Sequence, residues 1–262
     1  MEVPKNNILV TSDLSIGYKS KKAATVIAEQ LHLEFPLGKL ITLIGSNGIG
    51  KSTLLRTITG IQKPLKGNVL LNQKNINSYE PVELAQHLSV VLTEKLPPSN
   101  LTVFELVALG RQPYTNWLGT LSDLDTIKVK EALELSQITH LADKRHYEIS
   151  DGQLQKVLVA RALAQDTPLI ILDEPTTHLD LLHKVTLYQL LKRLAHETGK
   201  CILFSSHDID LAIQLSDEMI VMLPGEVLQD TPCNFIANHT FDRLFKDENI
   251  VFDSEKGKFI IR

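Results

Sequence analysis

Short apolar runs alternate along this chain with longer segments of helical spacing. Residues 8–18, "ILVTSDLSIGY", mix apolar and polar positions and predict a partly exposed strand. "KLITLIG" (39–45) is continuously apolar up to a glycine and predicts a strand buried on both faces. "GNVLLN" (67–72) and "LSVVLT" (88–93) predict two more strands. After the strand at 39–45 and a glycine-containing loop, "KSTLLRTITG" (51–60) has helical spacing with Gly60 as its stop.

From about residue 94 to 165 the spacing turns helical in "TVFELVALG", "SDLDTIKVKEALELS" and "QLQKVLVARALAQ", broken by "KLPPSN" and "RQPYTNWLG". "PLIILDE" (168–174) and "CILFSS" (201–206) then predict short buried strands on either side of a helix through "LLHKVTLYQLLKRLAHETG". Strands alternating with helices imply an α/β fold with a mostly parallel sheet. The final "FDSEKGKFIIR" reads as a hairpin turning at "EKG", with no chemistry assigned. The 262 residues suit a single α/β unit, with a core at 1–93 and 166–262 and a helical subdomain at about 94–165.

Composition narrows the function classes. Hydrophobic residues make up 43% and charged residues 22%, and a formal charge of −4 gives no electrostatic case for wrapping nucleic acid. Cys201 and Cys233 have neither metal-ligand nor redox spacing, which fits a reducing compartment such as the cytoplasm. The sequence lacks a run of about 20 apolar residues that would span a bilayer, and "MEVPKNNILV" lacks the pattern of a signal peptide. The expectation is a chain soluble by itself, free to dock on a membrane protein.

The chemistry-bearing stretch is "GSNGIGKST" (45–53), which fits G-x-x-x-x-G-K-[ST] between a predicted strand and a predicted helix. Gly45, Gly48 and Gly50 let backbone amides curl around phosphate oxygens, Lys51 reaches the outer phosphates and Ser52 can hold Mg²⁺. "LIILDE" puts Asp173 and Glu174 at a buried strand's end, where one carboxylate can serve a metal and the other an attacking water. Taken alone, the pair also reads as two exposed acids before the turn at Pro175. His207, after "CILFSS", falls at the sheet edge where ligands bind in open α/β folds, and Tyr18 ends the first strand. Alone, a histidine and a strand-end tyrosine are ordinary structural residues; beside a nucleotide they become a γ-phosphate donor and an adenine platform.

With the phosphate loop, "ISDGQ", "LDEP", "THLD" and the histidine after "SS" present in that order, the chain resembles the ATP-binding subunits of ABC transporters over nearly its whole length. The resemblance implies a P-loop NTPase (RecA-like) core with an N-terminal antiparallel β portion and a helical insert subdomain. It also implies ATPase activity with ATP and Mg²⁺. Gly45, Ser46, Asn47, Gly48, Ile49, Gly50, Lys51, Ser52 and Thr53 would wrap the phosphates, and Tyr18 would stack on adenine. Asp173 would serve Mg²⁺, Glu174 the attacking water and His207 the γ-phosphate. A second copy would pair head to tail, so that Ser150, Gly152 and Gln153 act across the dimer and Asp180 contacts the other subunit.

"LTVFELVALGRQPYTNW", "LDEPTTHLDL" and "HDIDLAIQLSDEMIVM" resemble the branch that powers import of iron-siderophore complexes, haem or cobalamin. The implied partners are integral membrane permease subunits and, indirectly, a substrate-binding protein. The implied place is the cytoplasmic face of the cell membrane, and no nucleic acid is expected. Trp117 and the "RQPY" turn are the expected permease-facing surface.

The chain departs from the family pattern at two places. Thr93 and Glu94 stand where the family carries a glutamine that reaches Mg²⁺ and water, and either is a possible contact. Asp151 stands where it carries glycine. Ser150 and Gln153 form a capping-box pattern, and a carboxylate at Asp151 gains ~0.3–1 kcal/mol from the helix dipole. Facing phosphate, it would suffer about 4 kcal/mol of repulsion at ~4 Å and an effective dielectric near 20. Asp151 is therefore expected to point toward solvent or a basic side chain.

Two other classes compete. A soluble ABC-type ATPase acting on nucleic acid or ribosomes is expected to carry two cassettes or a long coiled insert, and neither pattern is found. A nucleotide-binding module impaired in hydrolysis fits Asp151 and the missing glutamine, whereas Lys51, Asp173, Glu174 and His207 argue for activity.

Overall fold

In the computed structural model, which describes residues 6–19, 24–92, 99–244, 250–254 and 256–261, two sheets sandwich the first long helix. Strand β1 (Asn7–Lys19) pairs antiparallel with β2 (Ala24–Leu31) and β3 (Glu34–Pro36). Next come β4 (Leu40–Gly45), helix α1 (Lys51–Ile58), β5 (Lys66–Leu71), β6 (Lys74–Asn75), α2 (Pro81–Ala85) and β7 (Leu88–Val91). The helical stretch follows as α3 (Val103–Ala108), α4 (Asp123–Leu135) and α5 (Asp151–Ala164). The chain then runs through β8 (Leu169–Leu172), α6 (Leu181–Thr198), β9 (Cys201–Ser205), α7 (Ile209–Leu215), β10 (Glu218–Leu223), β11 (Glu226–Asp230) and α8 (Pro232–Ala237). It ends in the antiparallel hairpin β12 (Ile250–Asp253) and β13 (Lys258–Ile261).

The antiparallel sheet has the order β2-β1-β5-β6, with β3 on β1, and the larger sheet runs β11-β10-β4-β9-β8-β7. All pairings in the larger sheet are parallel except β10 with β11. The apolar runs follow from burial of both faces. Leu40 and Ile44 of β4, Ile170 and Leu172 of β8, and Ile202 and Phe204 of β9 pack with the later helices. The alternate residues, Ile41, Leu43, Leu169, Ile171, Cys201 and Leu203, pack with α1 and the antiparallel sheet.

Helices α3, α4 and α5 each begin with a capping box, at Thr102/Glu105, Ser122/Asp125 and Ser150/Gln153, so their starts are written locally. The "RQPY" stretch departs from the expected surface turn. It lies in a 3-10 helix, Leu109–Tyr114, and Arg111 is buried. The Arg111 guanidinium donates to Asp125 Oδ1 (2.8 Å) and to the Ala164 carbonyl (2.7 Å), tying α4 to the end of α5. Trp117, in contrast, is 91% exposed. The terminal hairpin is anchored by Phe252, whose ring lies 4.9 Å from that of Phe241 and 5.1 Å from that of Phe259. Cys201 is buried, Cys233 is exposed, and among the described residues no helix is long and apolar enough to cross a membrane.

Candidate nucleotide site

Strand order builds the site. β4, β9 and β8 are parallel neighbours, with Leu43 opposite Ser205 and Phe204 opposite Leu172. Their C-terminal ends therefore share one sheet edge, which brings together the loop after Gly45, the acids after Leu172 and the histidine after Ser205.

The 45–53 loop turns through Gly48 and Gly50 at φ 76° and 115° into α1. At Gly50 a Cβ would come within 2.4 Å of the Ile27 side chain, so both backbone and neighbour demand glycine. Ile27 lies on β2 and Tyr18 on β1, so the antiparallel sheet forms one wall of a cavity of about 230 Å³. The loop residues Asn47, Gly48, Lys51 and Ser52 and the acid Glu174 line the rest. Helix α1 has no acidic residue in its first turn, so its positive end is uncompensated within its own first turn.

Lys51 is 5% exposed and donates to the carbonyls of Gly45 (2.9 Å) and Ser46 (3.4 Å). Burial holds its ammonium below the ordinary lysine range, while Glu174 and Asp173 pull it back up. Ser52 is exposed at the mouth, and Ile49 packs against the apolar layer between the sheets. The Tyr18 hydroxyl is 2.6 Å from Thr53 Oγ1, and the side chain, half exposed, closes the loop from above.

Ser205 joins the two acids. Its hydroxyl donates to Asp173 Oδ1 (2.7 Å) and accepts the Glu174 amide (2.8 Å). Glu174 has φ 48°, a strained backbone for a non-glycine residue, held by that amide bond. Its carboxylate accepts from His207 Nε2 (2.5 Å) and from the Thr177 hydroxyl (3.3 Å). The sequence reading missed Ser205 and Thr177; a serine closing an apolar strand two residues before a histidine was the available signal for the first.

The other expected residues sit elsewhere. Ser150, Gly152, Gln153 and Asp180 do not line the cavity. Ser150 Oγ accepts the Gln153 amide (3.3 Å), and Gln153 Oε1 accepts the Ser150 amide (3.0 Å). Asp151, the first residue of α5, is exposed. Asp180 caps α6 by accepting the amide (2.9 Å) and Nδ1–H (2.8 Å) of His183. The His183 amide and then its ring lower the Asp180 pKa from the usual aspartate value. Thr93 and Glu94 lie outside the described residues. Among the described residues no group of three or more His, Cys, Asp or Glu makes a metal cluster.

A parallel sheet with a glycine loop, a buried lysine and paired acids at its C-terminal edge defines a P-loop nucleotide-binding protein of the α/β class. Residues 28–177 match the family model described as ABC transporter, and the chain belongs to that family. It is an ATP-binding subunit of the ABC type and an ATPase. The iron(3+)-hydroxamate import ATP-binding protein FhuC of Bacillus subtilis is 39% identical over 254 residues, covering 96% of this chain and 93% of that one. A solved transporter described as of the metal-chelate type, in an inward-facing conformation, superposes with a TM-score of 0.79 at 26% identity, over 97% of this chain and 96% of that one. A dimeric bacterial ABC transporter cassette gives a TM-score of 0.71 at 28% identity, over 86% and 98%.

Proposed function

We propose that this chain is the ATP-hydrolysing subunit that powers a membrane permease importing a metal chelate, of the iron-siderophore, haem or cobalamin class. Its similarity to the iron(3+)-hydroxamate import protein and to a metal-chelate type transporter supports that cargo class. The carrying observation is that Glu174 lies in the wall of the phosphate-loop cavity, bonded to His207, while Ser150 and Asp180 do not line it. One chain thus holds half of each site, and a second copy placed head to tail supplies the other half. The chain is then a single unit, its core at 1–93 and 166–262 and its helical subdomain at 94–165, seated on the cytoplasmic face of the membrane.

In this reading Lys51 and the amides of Ser46, Asn47, Gly48, Ile49 and Gly50 bind phosphate oxygens, with Thr53 beneath them, and Tyr18 faces the adenine. Glu174 orients and deprotonates the attacking water, its carboxylate aimed by His207, which also reaches the γ-phosphate. The Ser150 hydroxyl, the Gly152 amide and Gln153 act on the partner's nucleotide. Mg²⁺ fits the donor set, because Ser52 and Asp173 offer hard oxygens and that ion takes one or two carboxylates with phosphates and water. When bound, it neutralises charge on the transferring phosphoryl group. Thr93 and Glu94 are further candidates for that ion. Closing the dimer and reopening it after hydrolysis is the mechanical output. The exposed Trp117 belongs to the permease-facing side.

The test is affinity purification of this chain from gently solubilised native membranes. A multi-spanning permease recovered in stoichiometric amount, with its binding protein then screened for iron chelates, is the expected result. Recovery only in the soluble fraction with ribosomes overturns it in favour of a soluble ATPase.

A further inference from the structure

Gly152 is glycine for a reason its own backbone does not give. Its φ is not in the left-handed region, and it lies within the first turn of α5, where any residue fits. A Cβ there, however, would fall 2.5 Å from Cδ2 of His183, 3.1 Å from Cγ and 3.3 Å from Nε2. The imidazole occupies the space a side chain at 152 would need. The same ring is held from its other side, since Nδ1–H donates to Asp180 Oδ1 at 2.8 Å and the His183 amide donates to that same oxygen at 2.9 Å. A carboxylate only accepts, so the hydrogen is on Nδ1 and the Cδ2 and Nε2 edge is turned to α5. His183 therefore bridges the starts of two helices whose sequence positions are remote.

We propose that His183 is a positioning residue that locks the Ser150–Gly152 turn to the Asp180 loop, so that one copy presents both to its partner's nucleotide as a single edge. The inference rests on the head-to-tail dimer reading above. Both segments belong to the half-site offered across the interface, and neither lines this chain's own cavity. A ring 48% exposed and a cap 66% exposed sit at the surface where a partner seats, and their burial there would strengthen the contact between them. Without the ring, the glycine turn and the capped loop reach the partner independently, and docking them together loses its preorganisation.

The test uses the full-length chain carrying Glu174→Gln, followed by ATP-dependent dimerisation in analytical ultracentrifugation, ATP binding by calorimetry and thermal melting. Adding His183→Ala is expected to weaken dimerisation about tenfold or more. ATP affinity measured below the dimerising concentration is expected to stay within about twofold, and the melting temperature within about 3 °C. His183→Asn, which keeps a donor to Asp180 but lacks the ring edge beside Gly152, is expected to weaken dimerisation as His183→Ala does. Dimerisation unchanged by His183→Ala overturns the inference alone. Parallel losses of ATP affinity and melting temperature make the residue structural and also overturn it, and so does full dimerisation by His183→Asn, which would reduce the ring to a cap on Asp180. A Glu174→Gln parent that stays monomeric with ATP overturns the dimer reading, and the inference with it.

Discussion

Nε2 of His207 lies 2.5 Å from Oε1 of Glu174, although the two residues close different strands. The adjacency of β8 and β9 makes the contact possible, and Ser205, which accepts the Glu174 amide, fixes the backbone that aims the carboxylate. The second oxygen accepts from Thr177. The acid is thus oriented from two sides, as the proposed general-base role would need.

Replacing Glu174 with Gln keeps the shape and removes the charge. Steady-state phosphate release is expected to fall about 10²–10⁴-fold while ATP affinity changes little. Turnover at the wild-type rate would remove Glu174 from the water-activating role.

Asp151 sits exposed at the first position of α5, where the helix dipole favours a carboxylate. Asp151→Gly is therefore expected to change apparent ATP affinity in the assembled complex by less than about tenfold, because an outward carboxylate escapes the repulsion that facing phosphate would bring. A tightening of about tenfold or more would show that the carboxylate does oppose phosphate.

Strands β1, β4, β5, β7, β8 and β9, the Ser150/Gln153 cap and the glycine loop are legible because each is written in a short window, whereas β2, β3, β6, β10 and β11 are not among the strands the sequence predicts. Asp173, Glu174 and His207 were legible because a strand's C-terminal end is a place that topology defines. What the windows did not carry are contacts between remote segments. Arg111 looked like a surface residue of a proline turn, yet its partners are Asp125 and the Ala164 carbonyl, 53 residues on. Tyr18 was read for its ring, while its hydroxyl bonds Thr53. The Asp180 cap is different: its carboxylate accepts from His183 only three residues on, a local contact within one window that the sequence reading missed.

The Arg111–Asp125 pair is almost wholly buried, 5% and 6% exposed, and hydrogen bonds from Ser122 and Arg111 more than offset burial, keeping the Asp125 carboxyl below its ordinary pKa. Arg111→Met strands that charge and the Ala164 carbonyl. The expected loss is about 3–5 kcal/mol, seen as a melting temperature lower by roughly 10 °C. Arg111→Met combined with Asp125→Leu is expected to recover a large part of it, because removing both charges removes the stranded one. A single variant that melts like wild type would mean the pair contributes nothing.

Asp217 ties the strand that leads into the phosphate loop. Its carboxylate accepts the Leu40 amide (2.9 Å) at the start of β4 and His196 Nε2 (2.8 Å), with Lys192 at 3.6 Å. Burial by itself would raise its pKa, but the Leu40 amide and His196 outweigh that and hold it below the usual aspartate range. A depressed acid contributes stability that is full above its unfolded pKa, about 3.9, and is lost as pH falls through the lower folded value. Asp217→Asn keeps an acceptor for Leu40 and gives up the charge, so at pH 6 it is expected to melt several degrees below wild type, for about 1–2 kcal/mol. Thermal melts of both proteins from pH 6 down to about 3 check the sign, since the gap must narrow as the wild-type carboxylate takes up its proton. A gap constant across that range would mean that shape at position 217, and not charge, secures the base of β4.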